Sequence, residues 1–354
     1  MKFGIALASE VDSWRWAVRA EELGFSSAWF YDTQMLNPDV FVCMALAADR
    51  TERIRLGTGV VVPSNRIEPV TANALASVNK LAPGRIDFGV GTGFTARRTM
   101  GLKAITLART RIYIERVSAL LRGETVTWDF ENKTRKIRFL NPDTGLINIE
   151  DDIPLWLSAF GPKSMRLTAE LGAGWLNFSA MKGAIERLEQ MQHCWQESKR
   201  DPLDLHAQLF FIGAVLTGDK ATDDTRLMAQ AAPATATMFH AWADSPVRKA
   251  DLDAKSATDT AMRDYLTVHD SYEPADARYL SNHRGHLMFV RPEETHVTPE
   301  LVRNTTFSGT EEELVSNLKT LSDAGYEQVN VQLMRGHEHA IEDWARVFEQ
   351  VNPK

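Results

Sequence analysis

Glycines recur at alternate positions in Gly89-Val90-Gly91-Thr92-Gly93-Phe94, directly after an apolar run that predicts a strand. A Rossmann dinucleotide fingerprint requires glycine or alanine at the sixth position and an immediate helix, whereas this sequence has Phe94 and a polar segment. Gly91 and Gly93 favour a seat for a flat ring, because a glycine has no Cβ to project toward it. Glycines that only relieve crowding are the alternative.

Histidines are the acid-base candidates. His283 and His286 lie in one loop-like stretch, and an imidazole that titrates near neutrality could act there as a proton donor, although a structural role is the alternative. The same pair could be interpreted as a metal site with Glu293, Glu294 and His296. The stretch has neither a helical HExxH pattern nor a cysteine ligand, so we predict no metal.

Elements that alternate along the chain must position these residues. Short apolar runs alternate with amphipathic stretches, which predicts βα units around a parallel sheet. The predicted strands are Phe3–Ala8, Ser27–Tyr31, Arg55–Val62, Ile86–Gly91, Leu155–Phe160, Trp175–Phe178, Leu209–Leu216 and Gln328–Leu333. The last is interpreted as an apolar run without alternation, suited to a strand covered on both faces. Eight units predict an α/β fold, the (β/α)₈ TIM barrel, with its site at the C-terminal ends of the strands.

Two stretches, about 123–152 and about 230–306, do not fit the repeat and are predicted to be insertions. Long insertions in barrels usually carry function or form a lid. Because no linker divides the chain, residues 1–354 are predicted to form one domain.

Composition excludes several classes of protein. The 354 residues carry a net charge of −7 and no run of Lys and Arg, so nucleic-acid binding is not expected. No apolar stretch approaches the length of a membrane span, and the N-terminal apolar run is too short for a signal peptide. Cys43 and Cys194 lack CxxC spacing and are predicted to be buried fillers, which indicates a cytoplasmic, reduced setting.

A family resemblance is carried by Ile54–Phe94, which contains RLGTGVVVPSNRIEPVTANALASVNKLAPGRIDFGVGTGF. This string resembles the third-strand to fourth-strand core of the luciferase-like flavin oxidoreductases. The similarity extends through Gly161-Pro162-Lys163-Ser164, Gly172–Trp175 and Phe307-Ser308-Gly309-Thr310, so it spans nearly the whole chain. That superfamily includes monooxygenases that use reduced FMN and enzymes that use the deazaflavin coenzyme F420.

The resemblance implies a seat for the cofactor ring. A non-proline cis peptide that supports the ring would fall at Gly59-Val60, and Ala159-Phe160-Gly161 would pass along the ring and its ribityl chain. Asp32 matches the first residue of an Asp-His pair that the deazaflavin-dependent sugar-phosphate dehydrogenases of the superfamily have after strand two. We therefore assign Asp32 to the cofactor.

The resemblance also places the cofactor phosphate at Ser179-Ala180-Met181-Lys182, after strand six. A hydroxyl, free backbone N–H groups at a helix start and a lysine can together neutralise a dianion. A solvated surface lysine is the alternative for Lys182.

Departures from the dehydrogenases concern the acid-base groups. Thr33 stands in place of their His, and Phe94 in place of a Glu that follows the glycine motif. That dehydrogenase mechanism is therefore not favoured. Arg97 and Arg98 could hold an anionic substrate or the pyrimidine edge of the ring, or simply lie on the surface.

Three functions follow from the resemblance. The leading prediction is a monooxygenase that receives reduced FMN from a separate flavin reductase and oxygenates a small organic substrate. Phe94 and Phe160 would then help to close an apolar pocket, and His283 or His286 would protonate the peroxide or a product. The second prediction is direct hydride transfer with coenzyme F420, and the third is a barrel that binds flavin without catalysis.

The family resemblance also predicts a homodimer. Its interface would be built on the second and third helices through Phe41, Met44, Ala72 and Leu75, which are taken to be exposed.

Overall fold

Parallel strands close into a barrel in the computed structural model, which describes residues 1–244 and 257–353. The strands are β1 (Lys2–Leu7), β2 (Ser27–Phe30), β3 (Arg55–Thr58), β4 (Ile86–Val90), β5 (Val126–Phe130), β6 (Lys133–Ile137), β7 (Leu155–Ser158), β8 (Gly174–Phe178), β9 (Ala207–Phe211), β10 (Val215–Leu216), β11 (Gly309–Thr310) and β12 (Gln328–Leu333). Eight of them form the barrel in the order β1-β12-β9-β8-β7-β4-β3-β2. The prediction of a (β/α)₈ TIM barrel is confirmed.

Helices surround the barrel and fill the second insertion. They are α1 (Trp14–Glu22), α2 (Val40–Ala48), α3 (Glu68–Leu81), α4 (Phe94–Arg98), α5 (Leu107–Leu121), α6 (Pro162–Leu171), α7 (Ala184–Glu197), α8 (Lys220–Gln230), α9 (Ala232–Ala243), α10 (Ala257–Asp270), α11 (Tyr279–Asn282), α12 (Pro299–Thr305), α13 (Glu311–Ala324) and α14 (Ile341–Val351). Because the barrel strands run parallel, their C-terminal ends share one rim, and we call its opening the barrel mouth.

The last strand differs from its prediction. Gln328, Asn330 and Gln332 alternate with apolar residues in β12, and all three amides are buried. Gln328 Nε2 donates to Ser27 Oγ at 2.6 Å, and Asn330 Nδ2 donates to Gln208 Oε1 at 2.9 Å. The interpretation of an apolar run without alternation was therefore wrong, because the amides satisfy one another's hydrogen bonds inside the barrel.

Aromatic rings fill the middle of the barrel. Trp29 meets Trp156 and Phe210 edge to face, with ring centroids 6.1 and 5.4 Å apart. A Cβ at Gly57 would collide with the Trp29 ring, and one at Gly174 would collide with Trp156. Glycines in these strands therefore make room for tryptophans on neighbouring strands.

The seventh predicted strand is divided in two. β9 pairs with β8 and β12 in the barrel, whereas β10 leaves it and pairs with β11. Gly213 lies between the two parts, and a Cβ there would collide with the backbone of Phe307. The sequence Leu209–Leu216 predicts a single strand because both of its parts are apolar and buried.

The predicted insertions lie outside the barrel. The first holds the antiparallel hairpin β5–β6, and Trp128 of this hairpin donates to the buried carboxylate of Glu68 at 3.0 Å. The second, about 230–306, holds α9 to α12, and its residues 245–256 lie outside the described residues. The assignment of the chain to one domain stays a prediction.

The surface predicted for the dimer is wrong in its residues. Phe41, Met44, Ala72 and Leu75 are buried in the core of the single chain, because α2 and α3 turn these side chains toward the strands. The homodimer itself stays a prediction. Both cysteines are buried and unpaired, as expected. Among the described residues, no helix combines the length and the apolar character needed to cross a membrane.

Candidate active site

The residues predicted to hold a cofactor gather on one half of the barrel mouth. They follow β2, β3, β4, β7 and β8, which are consecutive neighbours in the barrel. The C-terminal ends of barrel strands are where catalytic residues of such folds lie. The structure therefore brings together residues that are up to 150 positions apart, from Asp32 to Lys182.

The ring seat predicted after β3 has the expected backbone, because the Gly59-Val60 peptide is cis. The ring of Tyr31 packs beneath Gly59, where an added Cβ would lie 3.4 Å from Tyr31 Cδ1. Tyr31 donates its hydroxyl proton to Gln332 Oε1 at 2.7 Å, and burial raises the pKa of the phenol. The floor of the mouth is thus formed by the neutral, hydrogen-bonded phenol of Tyr31 and the Gly59-Val60 peptide beside it.

Gly91 and Gly93 each have a structural reason to be glycine, and their role as a ring seat stays a prediction. A Cβ at Gly91 would lie 2.6 Å from Val60 Cγ2, so this glycine lets β4 pack against Val60. Gly93 has φ +77°, which favours glycine, and α4 begins immediately after it. The expected polar segment is therefore a short helix, and the closed barrel, not that segment, excludes the Rossmann fold. The geometry supports packing for both glycines.

Asp32 is buried at the end of β2 and is already paired. Arg66 Nη1 lies 2.7 Å from Asp32 Oδ2, and Arg66 also reaches Asp39 at 2.5 Å. Burial raises the pKa of Asp32 even though the arginine opposes the shift. An Asp32 carboxylate held in this way orients the loop after β3 and is not a free base.

Two helix starts face the same side of the mouth. Gly161 precedes α6, and a Cβ built on it would meet no atom within 4 Å, so there is open space at this point. Ser179 and the exposed Lys182 precede α7, whose N-cap Gly183 provides no side-chain cap. Uncapped N–H groups beside a lysine form a donor set that fits a phosphate.

The predicted acid-base residues lie in a segment that crosses the mouth, residues 283–289, which we call the mouth segment. At the middle of this segment, His286 Nε2 lies 3.0 Å from Thr95 Oγ1 of α4. The next residue, Leu287, accepts a hydrogen bond at its carbonyl from Gln332 Nε2 at 3.0 Å. Since β4 and β12 lie on opposite sides of the barrel, this segment bridges the opening.

Both histidines of the mouth segment are buried and engaged. His283 Nε2 lies 2.9 Å from Asp244 Oδ2, and burial lowers the pKa of His286 well below its ordinary value. Burial would raise the pKa of Asp244, but His283 and Arg98 lower it. His286 is therefore neutral at physiological pH, which makes it a weak proton donor.

A buried cluster of Glu294, His240 and Arg291 lies in the same insertion as the mouth segment. Glu294 Oε1 lies 2.5 Å from His240 Nε2 and 2.6 Å from Arg291 Nη2, and all three side chains are buried. Burial would raise the pKa of Glu294, but hydrogen bonds from His240 and Arg291 bring it down to about 2. Across the described residues, no group of three His, Cys, Asp or Glu side chains could hold a metal ion.

Phe94 and Arg97 lie on α4 at the rim. Arg97 Nε donates to the carbonyl of Lys103 at 2.5 Å, so its guanidinium supports a loop. The guanidinium of Arg98 stacks on the Phe94 ring, with Cζ 3.5 Å from the ring centroid. Arg98 is therefore already engaged, whereas Arg97 has no carboxylate partner among the described residues.

Two surface cavities lie apart from the predicted site. One of about 320 Å³ opens beside the ends of β1 and β12, where Glu10 and Arg335 pair at 2.8 Å. Another of about 170 Å³ lies between α5 and α6 and includes Lys163. None of the residues predicted to bind cofactor lines either cavity.

Comparison with known proteins identifies the family. A family model described as luciferase-like monooxygenase matches residues 6–328. The chain belongs to this family. The resemblance inferred from Ile54–Phe94 is therefore confirmed, and the chain is an oxidoreductase.

Curated relatives of this luciferase-like chain include reductases and dehydrogenases. It is 27% identical over 348 residues to 5,10-methylenetetrahydromethanopterin reductase of Archaeoglobus fulgidus, covering 93% of this chain and 92% of that protein. It is 31% identical over 193 residues to the protein of the same name in Methanolobus tindarius, covering 54% of this chain and 57% of that protein. It is 33% identical over 176 residues to F420-dependent glucose-6-phosphate dehydrogenase of Beutenbergia cavernae, covering 46% of this chain and 50% of that protein.

Solved structures show the same fold. A coenzyme F420-dependent tetrahydromethanopterin reductase from Methanopyrus kandleri has a TM-score of 0.67 at 20% identity, covering 98% of this chain and 97% of that one. The oxygenating constituent of 3,6-diketocamphane monooxygenase from Pseudomonas putida, in complex with FMN, has a TM-score of 0.65 at 13% identity, covering 100% and 97%. The prediction of FMN and oxygen is not confirmed, and the curated relatives favour the deazaflavin alternative.

Sequence reasoning missed several residues of this luciferase-like mouth. Tyr31 and Gln332 form its floor, and Thr95 and Asp244 hold the two histidines of the mouth segment. The alternation of β12 was a signal for Gln332, because amides at every second position of a buried strand face one side. Asp244 had no such signal, since its role depends on contacts made 38 to 146 positions away.

Proposed function

We propose that this protein is a coenzyme F420-dependent oxidoreductase that transfers a hydride directly between the deazaflavin and a small organic substrate. The observation that carries the proposal is the alignment over 93% of the chain with a methylenetetrahydromethanopterin reductase. The partial alignments with F420-dependent glucose-6-phosphate dehydrogenases point to the same cofactor.

The residues of the mouth fit this cofactor. The bare peptide at Gly59-Val60 and the half-buried Val60 side chain offer a flat apolar surface for the ring. The open space at Gly161 leaves a path for the ribityl chain toward α6 and α7. Lys182, with the uncapped start of α7, would hold the phosphate.

Reduction of the substrate is the direction that the side chains favour. When bound and reduced, the deazaflavin supplies a hydride; oxidation of an alcohol would in addition need a base to take the hydroxyl proton. The candidate bases at the mouth are occupied, because Asp32 is paired with Arg66, His283 with Asp244, and His286 with Thr95. Thr33 and Phe94 supply no base either.

The remaining work of the protein is positioning and exclusion of water. The mouth segment crosses the opening and is fixed at Thr95 and at Gln332, so it would shield a cofactor bound in the mouth from solvent. The protonated hydroxyl of Tyr31 donates a hydrogen bond to Gln332, which fixes the two side chains at the floor of the mouth.

An anaerobic assay tests the proposal. Reduced F420 is mixed with the protein and with 5,10-methylenetetrahydromethanopterin, aldehydes, ketones, imines and conjugated amides, and the visible absorbance of oxidised F420 is followed. We expect protein-dependent oxidation of F420 by at least one acceptor without oxygen. Oxygen-dependent turnover with reduced FMN from a flavin reductase, and none with F420, would overturn the proposal in favour of a monooxygenase.

A further inference from the structure

Cations gather on one side of the mouth, in the stretches that follow β4, β7 and β8. Residues 88–114, 159–169 and 171–185 contain eight Lys and Arg residues but no Asp or Glu, whereas the whole chain has a net charge of −7. The three strands are consecutive neighbours in the barrel, so the stretches that follow them lie side by side. An acidic protein that concentrates positive charge on one surface attracts anions to that surface.

Half of these cations are neutralised within the protein. Four are paired with carboxylates from other parts of the chain: Arg98 with Asp244, Arg109 with Glu68, Arg111 with Glu115 and Glu170, and Arg166 with Glu197. The other four, which we call the basic rim, have no carboxylate partner within residues 1–244 and 257–353: Arg97, Lys103, Lys163 and Lys182. A phosphate held at Lys182 leaves the remaining three without an anion.

The start of α6 places a cation where the helix dipole favours an anion. The first turns of α5 and α6 contain no acidic residue, and they contain Arg109 and Lys163 instead. The positive end of a helix dipole repels a cation. Glu68 offsets this repulsion for Arg109 at 3.0 Å, whereas no described carboxylate does so for Lys163. The position of Lys163 therefore favours a role in binding an anion.

A surface cavity of about 170 Å³ lies beside Lys163, between α5 and α6. Its wall combines apolar side chains with three cations, Arg111, Lys163 and Arg166. Among the described residues that line it, only Glu170 is a carboxylate, and Arg111 already contacts it. Lys163 is two residues from Gly161, beside which there is open space. The cavity thus lies next to the path proposed for the ribityl chain, and its charge suits carboxylates.

We propose that the basic rim and this cavity bind a flexible chain of carboxylates, and that this chain is the glutamate tail that coenzyme F420 carries beyond its phosphate. Lys182 would hold the phosphate, and Lys163 and the cavity would receive carboxylates of the tail. Exposed ion pairs are individually weak, but a tethered chain brings several carboxylates to several cations at a high effective concentration. The identity of the chain rests on the proposed function, whereas the basic site itself can be tested without the cofactor.

Two forms of the cofactor isolate the contribution of the tail. F420 with several glutamates and its tail-less form, which ends at the lactate group, share the ring, the ribityl chain and the phosphate. Each is titrated into the full chain, and cofactor fluorescence is followed at about 0.05 M and at about 0.5 M salt. At the lower salt concentration we expect F420 to bind at least about fivefold more tightly than the tail-less form. At the higher one the advantage should shrink below about twofold, because salt screens exposed charges.

Reversal of one charge locates the site. Lys163→Glu should remove most of the advantage of the tail, while the affinity for the tail-less form stays within about twofold of the parent value. Lys319→Glu is the matched control, because Lys319 is an exposed lysine of α13 without a carboxylate partner among the described residues, and its reversal changes the net charge equally. It should change neither affinity. A tail that keeps its advantage in Lys163→Glu, or loses it equally in Lys319→Glu, overturns the proposal.

A free oligomer separates this proposal from the proposed function. Binding of γ-linked triglutamate to the full chain without cofactor is measured by ligand-observed NMR at the lower salt concentration. We expect triglutamate to bind the parent protein and to bind Lys163→Glu more weakly. This result without any binding of F420 would remove the proposed function and support the basic site. Equal binding of triglutamate to the two proteins, or equal affinities of F420 and its tail-less form for the parent, overturns the proposal.

Discussion

Replacing Glu294 by Gln tests whether a buried ionic group holds the second insertion over the mouth. Glu294 is fully buried and is shared by His240 and Arg291, so the substitution leaves the buried Arg291 without its closest carboxylate. Glu293 is the matched control, because it lies next in the chain, contacts Arg291 Nε at 3.5 Å, and is exposed to solvent.

Two estimates of the cost agree. Removal of one partner from a buried ion pair costs about 3–5 kcal/mol. The pKa of Glu294 falls from 4.5 to about 2, and each unit is worth about 1.4 kcal/mol, which gives about 3–4 kcal/mol. Because the pKa in the folded state is depressed, this stability is complete above pH 4.5 and is lost as the pH falls from 4.5 toward 2.

Thermal melting and hydrogen exchange measure the loss. In Glu294→Gln we expect the melting temperature to fall by about 6 °C if the insertion unfolds with the barrel. If the insertion opens by itself, its amides should exchange about 100-fold faster. Glu293→Gln should stay within about 0.5 kcal/mol of the parent protein. A Glu294→Gln protein with parental melting and exchange would refute the structural role of this group.

Three further predictions concern the mouth itself. Lys182→Ala should weaken F420 binding by about 1 kcal/mol or more in a fluorescence titration, while affinity for a deazaflavin without the phosphate stays the same. Gly91→Ala forces Val60 to move and should lower the melting temperature by about 2–6 °C, whereas Gly161→Ala, with open space around its Cβ, should change it by less than about 1 °C. Burial lowers the pKa of His286, so the closed mouth segment is most stable above pH 6.5, and its amide exchange, corrected for intrinsic rates, should accelerate as the pH falls below 6.5.

Each of these three predictions has a result that would contradict it. Equal losses for both deazaflavins would show that Lys182 does not touch the phosphate. A Gly91→Ala protein that melts like the parent would show that Val60 yields without cost. Exchange of the mouth segment that does not respond to pH would show that protonation of the buried imidazole is unrelated to closure.

The barrel was predictable from sequence because its pattern is local. Strands such as Ser27–Tyr31 and Gln328–Leu333 were predicted within one residue of the bounds observed, since a short run of apolar residues marks a buried strand. The division of Leu209–Leu216 was not predictable, because the break at Gly213 follows from the approach of Phe307, almost 100 positions later.

The sequence predicted where the site residues lie in the barrel, but not which residues they contact. The positions of Gly59, Gly161 and Lys182 at the mouth follow from the strand order, which the sequence indicated. The partner of His283 could not be predicted, because Asp244 follows α9, far from His283 in the sequence, and no sequence pattern marks it. The contact between Gly91 and Val60 was not visible in the sequence, because Val60 follows β3 whereas Gly91 follows β4.

Equilibrium titration with the two candidate cofactors tests the central claim most directly. Oxidised F420 and FMN are each titrated into the full chain, and binding is followed by cofactor fluorescence. We expect F420 to bind at least about tenfold more tightly than FMN, and Lys182→Ala to weaken the binding of F420. Tighter binding of FMN, or no binding of F420, would contradict the proposal that this luciferase-like barrel works with the deazaflavin.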